Sequence, residues 1–528
     1  MFVNIPVKIH LPAPTTVPLL FIVFLTFSLV ITPTLPAIDA EIPLMTGEWA
    51  YFALWKLEAN GITGPILASS RPFERDRIAQ IVADIKEGIK DGRLDPSPLE
   101  LDLINKLEAE FARDLSHVGL EARELLAGET DYRDEQWGEH SASMWVAVEF
   151  HPTPDIALYE EIDVGRGKER VGADGRTASQ RTKTWRWDYT ADFRRAYIRF
   201  HRKRFEALLG RQSLFWGPAY GGSLILSRNS PALDMALLTA RFGPVKATAF
   251  SAVLDTKWSE RGDPSRRYLA DRYLSGHRLD WVVSNRLELG LSEVVLYGGE
   301  ARNMELQYMN PLLPYYASQW NSDQDDNVLA SADFAIRPID RLKIYGEFLV
   351  DDFQYSRDEP NALGYIAGIY FSDPLRLSGT DLRAEYTRID TRTYTHRIAE
   401  NQFTHYGWIM GHRLGPDADQ FLLELSRMIN IDIRLKLMYT YERQGSRTVE
   451  NGYVVKGLEN IDFPSDPVER RHRFGLQFLW EPVRGPQLDI SCGGVSIRGQ
   501  HENTWEGELS IAAGFLSGVE WFRRNLWE

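Results

Sequence analysis

From about residue 140 to the C-terminus, apolar and polar residues alternate with a period of two. In residues 431–442, IDIRLKLMYTYE, the odd-numbered positions carry Ile, Leu and Tyr, and most even-numbered positions carry charged or polar residues. Residues 341–352, 471–481 and 194–201 repeat this pattern. Because successive side chains of a strand point to opposite faces, each segment predicts a β-strand with one apolar and one polar face.

Residues 46–128 have a helical period instead. Apolar residues recur every three or four positions, and Asn60-Gly61 and Asp91-Gly92 are typical ends of helices. Ser97-Pro98-Leu99-Glu100 is a capping box with proline at the first helical position. These signals predict three short amphipathic helices, which begin near Thr46, Pro72 and Ser97. Their apolar faces must pack together or against a larger body, which predicts a small helical bundle.

The alternating segments fit either a soluble β-sandwich or a membrane β-barrel. Several runs reach about 10 residues, the length of a tilted membrane strand, whereas ordinary strands have about 5–6. Tyr and Trp lie near the ends of the runs, as in the aromatic girdles of membrane barrels. At roughly 22 residues per strand and connection, residues 130–528 form about 18 strands. We therefore predict a mainly β protein, a large transmembrane antiparallel barrel with a small N-terminal helical bundle.

The first forty residues have the pattern of an export signal. Lys8 and His10 precede an apolar run over 19–31, which is followed by Ala37 and Ala40. An apolar run of about 13 residues is too short for a bilayer core, which needs about 20. We predict a cleaved signal peptide over 1–40, a periplasmic helical bundle over 41–129 and a barrel over 130–528. The protein would then reside in the outer membrane.

Composition excludes some partners. The net charge is −14 and no basic stripe is present, which argues against nucleic-acid binding. Cys492 is the single cysteine, so no intramolecular disulfide can form. Stability must therefore come from burial or from contact with outer-membrane lipid.

Six short segments, spread over nearly the whole mature chain, carry a family resemblance. They are WGPAYGGSLILSRNSP (216–231), ASSRPFERDRIAQ (68–80), YGGEARNMELQYMNPLLPYY (297–316), DNVLASADFAIRP (326–338), YGEFLVDDFQ (345–354) and YGWIMGHRLGPDADQF (406–421). Together they resemble segments of the capsule-assembly Wzi family of Gram-negative outer-membrane proteins. The resemblance implies a large barrel with a small periplasmic helical bundle. It also implies a surface lectin that attaches capsular or extracellular polysaccharide.

The C-terminus departs from the usual pattern of such barrels. They end with an aromatic residue that the barrel assembly machinery reads, whereas this chain ends Asn525-Leu526-Trp527-Glu528. The aromatic residue is penultimate, which weakens the predicted insertion signal without removing it.

The sequence contains no complete catalytic constellation. Gly221-Gly222-Ser223 begins like the nucleophile elbow of hydrolases, but Ile225 stands where the second glycine is required. The adjacent carboxylates Asp325-Asp326 and Asp351-Asp352 would point to opposite faces of a strand and cannot flank one bond. There is no HExxH motif, phosphate-binding loop or cysteine cluster. We predict no catalysis, no metal and no cofactor.

Two segments combine aromatic residues with turn residues. Gly217, Pro218 and Gly221-Gly222 predict a turn of defined shape that holds Trp216 and Tyr220 at a strand end. Residues 310–327 have a similar composition. The rings belong either to an interfacial belt or to a sugar platform, since a flat aromatic face packs against the apolar face of a pyranose. The candidate polysaccharide-binding residues are Trp216, Tyr220, Asn310, Tyr315, Tyr316, Trp320 and Asp323.

We therefore predict an outer-membrane lectin that binds capsular or extracellular polysaccharide. The alternative is a porin-like channel, because wide barrels enclose an aqueous channel unless loops fill it. A more distant alternative is an enzyme that acts on polysaccharide, against which the missing acid–base pair already counts.

Overall fold

The computed structural model describes residues 48–73, 75–115, 125–133, 139–153, 155–166, 189–260, 264–322, 325–352, 361–453, 462–482, 485–498 and 503–516. The predicted signal peptide and Asp323 lie outside the described residues. No described helix is long and apolar enough to cross a membrane.

Three helices precede the strands and occupy the ranges that the helical period predicts. They are α1 (Glu48–Ala59), α2 (Arg75–Lys90) and α3 (Pro98–Leu115). The capping box forms at the start of α3: the Ser97 N–H donates to Glu100 Oε2 at 2.6 Å, and the Glu100 N–H donates to Ser97 Oγ at 3.5 Å. A fourth helix, α4 (Tyr315–Ser322), lies in a later loop.

Most of the remaining described residues form one antiparallel sheet of 19 strands. In this sheet 18 strands each pair with two others of the set, and the short Lys257–Ser259 is added at the end of Tyr268–Ser284 as its third partner. These 18 are β1 (Leu125–Arg133), β2 (Glu139–Thr153), β3 (Ile156–Arg166), β4 (Tyr189–Arg202), β5 (Phe205–Gln212), β6 (Leu233–Phe242), β7 (Val245–Val253), β8 (Tyr268–Ser284), β9 (Leu287–Glu300), β10 (Asn327–Ile339), β11 (Leu342–Asp352), β12 (Ala362–Ser372), β13 (Thr380–Ile389), β14 (Ala418–Met428), β15 (Ile433–Gln444), β16 (Glu469–Trp480), β17 (Gly485–Arg498) and β18 (Asn503–Leu516).

The first and last of these strands pair with each other and close the sheet into a barrel. Leu125 lies opposite Leu516, and the register continues to Tyr132 and Leu509. The barrel and its strand number confirm the prediction of about 18 strands. β1 begins at Leu125, slightly before the predicted boundary at residue 130.

The two faces of the barrel wall differ in polarity. Leu437, on the outer face of β15, is 55% exposed, whereas its neighbours Lys436 and Arg434 are buried inside. The same alternation recurs around the wall. Exposed apolar side chains outside include Ile198, Phe200, Leu209, Leu238, Leu291, Phe474 and Leu476. Buried charged side chains inside include Arg199, Arg272, Arg278, Glu347, Glu385 and Glu424. An apolar exterior around a polar interior is the arrangement of a transmembrane barrel.

The helices close one end of the barrel, which we call the helical end. Ile78, Val82 and Ile85 of α2 belong to the same buried cluster as Ile104 and Leu107 of α3. The α1 helix inserts into the mouth, where its Lys56 Nζ lies 2.9 Å from Asp373 and 2.7 Å from Asp381. Short turns connect the strands here, whereas the longer loops lie at the opposite end, the loop end.

Candidate functional site

The first predicted segment, with its turn over 216–222, folds into the barrel lumen as part of the loop formed by residues 213–232. Phe215 pairs with Arg71 and Trp216 with Ser70, so the loop contacts the segment that connects α1 to α2. The Trp216 side chain is only 1% exposed, and its ring centroid lies 5.4 Å from that of Phe250 on the inner wall. Trp216 is therefore part of the luminal core and presents no open face to a ligand.

Glycine is required at the sharp turn of this luminal loop. Gly217 has a φ of +145°, and a Cβ at this position would lie 2.5 Å from Glu347 Oε2. Gly222 has a φ of +143°, and a Cβ there would lie 2.8 Å from the His412 ring. Both positions combine a positive φ with close packing, which only glycine tolerates. The turn that the sequence predicts thus faces the inner wall of the barrel.

A carboxylate on the inner wall holds the loop after this turn. Glu347, on β11, accepts hydrogen bonds from Ser223 Oγ at 3.0 Å, the Leu224 N–H at 3.1 Å and the Ile225 N–H at 3.3 Å. The Ser223 hydroxyl also contacts the carbonyl of Trp216. Ser223 is therefore engaged in anchoring the loop, which agrees with the absence of a complete nucleophile elbow.

Tyr220 reaches the same side of the inner wall, at strands two and three along from that of Glu347. Its N–H and that of Gly221 each donate to Glu385 at 2.8 Å, and its hydroxyl donates to Glu424 at 2.5 Å. The Arg383 guanidinium lies 3.8 Å above the ring, so one face of the half-buried Tyr220 is already covered. Glu347, Glu385 and Arg383 were not predicted as anchors of the loop. In the sequence each is only a charged residue on the polar face of a strand, and nearly every strand carries such a residue.

The second predicted segment, residues 310–327, lies outside the lumen as far as residue 322. Glu293 and His277 alternate with the buried Ser292 and Arg278, so their side chains point to the outer wall. The N–H groups of Tyr315 and Tyr316 donate to Glu293 at 2.8 and 2.9 Å. Residues 301–322 therefore fold over the outside of the barrel at the loop end. The two segments do not meet in one site.

The candidate residues of this outer segment differ in exposure. Tyr315 is 1% exposed and packs on His277 at 4.5 Å between ring centroids, whereas Tyr316 is 51% exposed. Asn310 is exposed, and its side-chain oxygen accepts the N–H of Leu312 at 3.1 Å. Trp320 lies on α4, but its side chain, like Asp323, falls outside the described residues.

A further loop, residues 390–417, also enters the lumen. Arg272, on β8, donates to the carbonyls of Glu400 at 2.7 Å, Gln402 at 2.9 Å and Thr404 at 2.7 Å. The hydroxyl of Tyr394, in this loop, donates to the carbonyl of Leu224 at 2.5 Å. The two inward loops are therefore bonded both to the wall and to each other.

One histidine of this further loop lies in the luminal core. His412 is fully buried, and burial, with the nearby Arg413 charge as a smaller cause, lowers the pKa of its imidazole to about 3. The imidazole is therefore neutral at physiological pH.

The adjacent carboxylates Asp325 and Asp326 pair with two different arginines rather than with each other. Asp325 contacts Arg397, whereas Asp326 lies 2.9 Å from Arg302 Nη2. Within the described ranges, no group of three or more His, Cys, Asp or Glu residues is arranged to hold a metal ion.

Comparison with known proteins identifies the family. Residues 111–498 match the model of the family described as capsule assembly protein Wzi. The chain is similar in structure to Wzi of Escherichia coli, described as an outer membrane protein involved in group 1 capsule assembly and a carbohydrate-binding β-barrel. The TM-score is 0.63 at 15% identity, over 90% of this chain and 98% of that chain.

Two structures from Pseudomonas aeruginosa are less similar. OccD3 and OprD each give a TM-score of 0.45, at 10% and 8% identity, over 76% of this chain and 91% and 95% of theirs. No curated protein matches the sequence. Since the family match covers well over half of the residues and the barrel fold agrees with it, the chain belongs to the capsule assembly protein Wzi family.

Proposed function

We propose that this protein is an outer-membrane lectin that binds capsular or extracellular polysaccharide and helps to retain it at the cell surface. The family match over residues 111–498 carries this proposal. The carbohydrate-binding and outer-membrane description of the Escherichia coli relative supports it. The apolar outer wall supports the membrane placement, with the helical end in the periplasm and the loop end outside.

The two luminal loops favour binding over conduction. A porin needs a continuous aqueous channel, whereas residues 213–232 and 390–417 pack together in the lumen and bury Leu224, Ile225 and Tyr394. Lys56 of α1 lies in the opposite mouth. We expect a purified and reconstituted barrel to conduct negligibly.

The assignment of the candidate residues follows their exposure. Tyr316, Asn310, Trp320 and Asp323 would contact sugar, through aromatic stacking and hydrogen bonds to hydroxyl groups. Trp216 and Tyr315 would instead shape the surface from below. Tyr220, whose ring lies against Arg383, would contribute from within the lumen.

The proposal includes the maturation of the chain and the absence of catalysis. Residues 1–40 would be removed as a signal peptide, and the barrel assembly machinery would insert residues 130–528 with the bundle of residues 41–129 in the periplasm. The engagement of Ser223 with Glu347 supports a binding protein rather than an enzyme.

Retention of polysaccharide by cells tests the function. In a strain that lacks this protein, polysaccharide should still be made and exported but should be released into the medium, and the full chain should restore cell-bound polysaccharide. The Trp216→Ala/Tyr220→Ala and Tyr315→Ala/Trp320→Ala variants test the two segments, with retention normalised to the amount of folded barrel. Unchanged retention in both double variants would refute the residue assignments, and unchanged retention in the deletion strain would refute the function.

A further inference from the structure

Four arginines occupy directly opposed positions across five neighbouring strands at the loop end. Arg388 of β13 lies opposite Asp419 of β14, which lies opposite Arg443 of β15. Arg443 in turn lies opposite Arg470 of β16, and Arg470 lies opposite Arg498 of β17. We call these five residues the arginine row. At about 4.8 Å between strands, the row extends roughly 19 Å around the wall.

The arginine row is on the outside of the barrel. The strand neighbours Thr387, Gln420 and Glu442 are buried in the lumen, so the alternating residues of the row point outward. The Arg388 and Arg443 side chains are 40% and 34% exposed, and Arg470 and Arg498 are also exposed.

An aromatic row lies directly below, on the side of the helical end. It consists of Tyr386, Phe421, Tyr441 and His472, which lie opposite one another on β13 to β16. The next outward levels are apolar and include Leu423, Phe474, Leu425, Leu437 and Leu476. Aromatic rings mark the interface between hydrocarbon and headgroups in membrane barrels. The arginine row therefore lies on the loop-end side of the aromatic row, the side on which lipid headgroups follow the hydrocarbon.

The arginine row keeps an excess of positive charge, although Arg388 Nε lies 3.0 Å from Asp390, an acid just beyond the row. Arg443, Arg470 and Arg498 face one another on three adjacent strands, and like charges in directly opposite positions are destabilising. Asp419, the single acid of the row, accepts hydrogen bonds from Arg443 Nε at 2.9 Å and the Tyr386 hydroxyl at 3.0 Å. Within the described residues, no acid forms an ion pair with Arg470 or Arg498.

We propose that the arginine row binds the phosphate groups of an anionic glycolipid of the outer leaflet, whose acyl chains lie along the aromatic and leucine levels below. The guanidinium group matches phosphate because its planar fork donates two parallel hydrogen bonds. An acidic polysaccharide has anionic groups too, but it lacks acyl chains to occupy the adjacent apolar wall. The proposal rests on the outer-membrane placement and is independent of polysaccharide binding.

Lipid binding by the detergent-purified full-length protein tests this inference. The probe is diphosphorylated lipid A, compared with the same lipid after removal of its phosphates, with inorganic phosphate and with a uronic-acid oligosaccharide. The variant Arg443→Gln/Arg470→Gln/Arg498→Gln removes the charge and keeps polar side chains of similar shape. It should bind lipid A at least about tenfold more weakly. The corresponding triple lysine variant should recover part of the binding.

A matched control removes exposed cations elsewhere: Lys86→Gln/Lys90→Gln/Arg93→Gln, on α2 and in the turn after it, should bind lipid A as the native chain does. The gel mobility of unboiled samples reports whether each barrel is folded. If the triple glutamine variant does not fold, Arg470→Gln and Arg498→Gln alone should each weaken binding about two- to threefold. Equal binding of lipid A by the native protein and the folded variants would overturn the proposal. Equal binding of the dephosphorylated lipid, full displacement by inorganic phosphate, or a preference for the oligosaccharide would also overturn it.

Discussion

Two segments of similar composition lie on opposite sides of the barrel wall. Residues 213–232 turn inward, and their backbone is held by Glu347 and Glu385. Residues 301–322 turn outward, and their backbone is held by Glu293. In both cases backbone N–H groups donate to a carboxylate on a strand. What differs is the face of the strand from which that carboxylate projects.

The comparison shows which kind of sequence information determines location. Glycine, proline and aromatic content identified both segments as structured loops but did not distinguish inside from outside. The distinction depends on whether the anchoring residue occupies an inward-facing or an outward-facing position of its strand, because neighbouring strand residues face opposite sides of the wall. This anchoring residue is remote in sequence from the loop, so the composition of the loop does not reveal it.

The largest expected loss of stability comes from a substitution that releases residues 213–232 from the inner wall. Glu347→Leu would leave the N–H groups of Leu224 and Ile225 buried without their acceptor, whereas Ser223 Oγ would keep the carbonyl of Trp216. The cost should be about 2–6 kcal/mol, since each unsatisfied buried donor costs about 1–3 kcal/mol. Hydrogen exchange over residues 213–232 should increase strongly, and conductance in planar bilayers should appear. Exchange over residues 301–322 should not change.

Glu347→Gln is the matched control, because its amide oxygen can still accept hydrogen bonds from the loop. It should have a much smaller effect on exchange and conductance. Closed behaviour of folded Glu347→Leu would show that this carboxylate does not anchor the loop.

Much of the fold was predictable from local patterns. The alternation in residues 431–442 predicted that Leu437 faces outward and Lys436 inward, and the capping box predicted the start of α3. Other features depend on long-range contacts. The burial of Lys56 against Asp373 and Asp381 joins residues more than 300 positions apart. In the sequence, Lys56 is an ordinary charge within a helix, so its place in the barrel mouth was not predictable.

A charge on the outer face of the wall should destabilise the barrel. Leu437→Arg would place a charge in hydrocarbon and should destabilise the barrel by about 2–4 kcal/mol, if Leu437 is near the middle of the bilayer. Unfolding by denaturant in lipid vesicles measures the change. Leu375→Arg is the control, since Leu375 is exposed in a turn outside the strands and its replacement should have little effect. Equal effects of the two substitutions would contradict the membrane placement of this face.

Acidification should affect the luminal segment more than the outer one. His412 has a folded-state pKa of about 3, below its ordinary value of 6.5, because burial disfavours the imidazolium. Between these values the unfolded loop binds a proton that the folded loop excludes. The folded loop therefore keeps its full stability above pH 6.5 and loses stability as the pH falls towards 3. At about pH 5 the loss should be about 2 kcal/mol.

Hydrogen exchange at neutral and acidic pH measures this effect. Residues 213–232 contact His412 through Gly222, so their exchange should accelerate on acidification after correction for intrinsic rates. The His412→Gln variant should lose most of this pH dependence. If the native protein and the variant respond alike, another group controls the acid sensitivity of the lumen.

The smallest expected effect is a change in polysaccharide affinity, which tests whether the outer or the luminal segment contacts the sugar. Tyr316 has an exposed ring on the outer segment, whereas Trp216 is buried in the luminal core. Tyr316→Ala should therefore weaken polysaccharide binding several-fold, because aromatic stacking contributes on the order of 1 kcal/mol. Leu312→Ala is the matched control: Leu312 is also exposed on this segment but has no aromatic face. Binding of purified polysaccharide to folded protein in detergent measures both changes. A loss of affinity in Tyr316→Ala alone assigns the contact to the outer segment, because the luminal segment is unaltered in both variants. Equal affinity of the two variants would instead show that the exposed ring of Tyr316 makes no contact with the sugar.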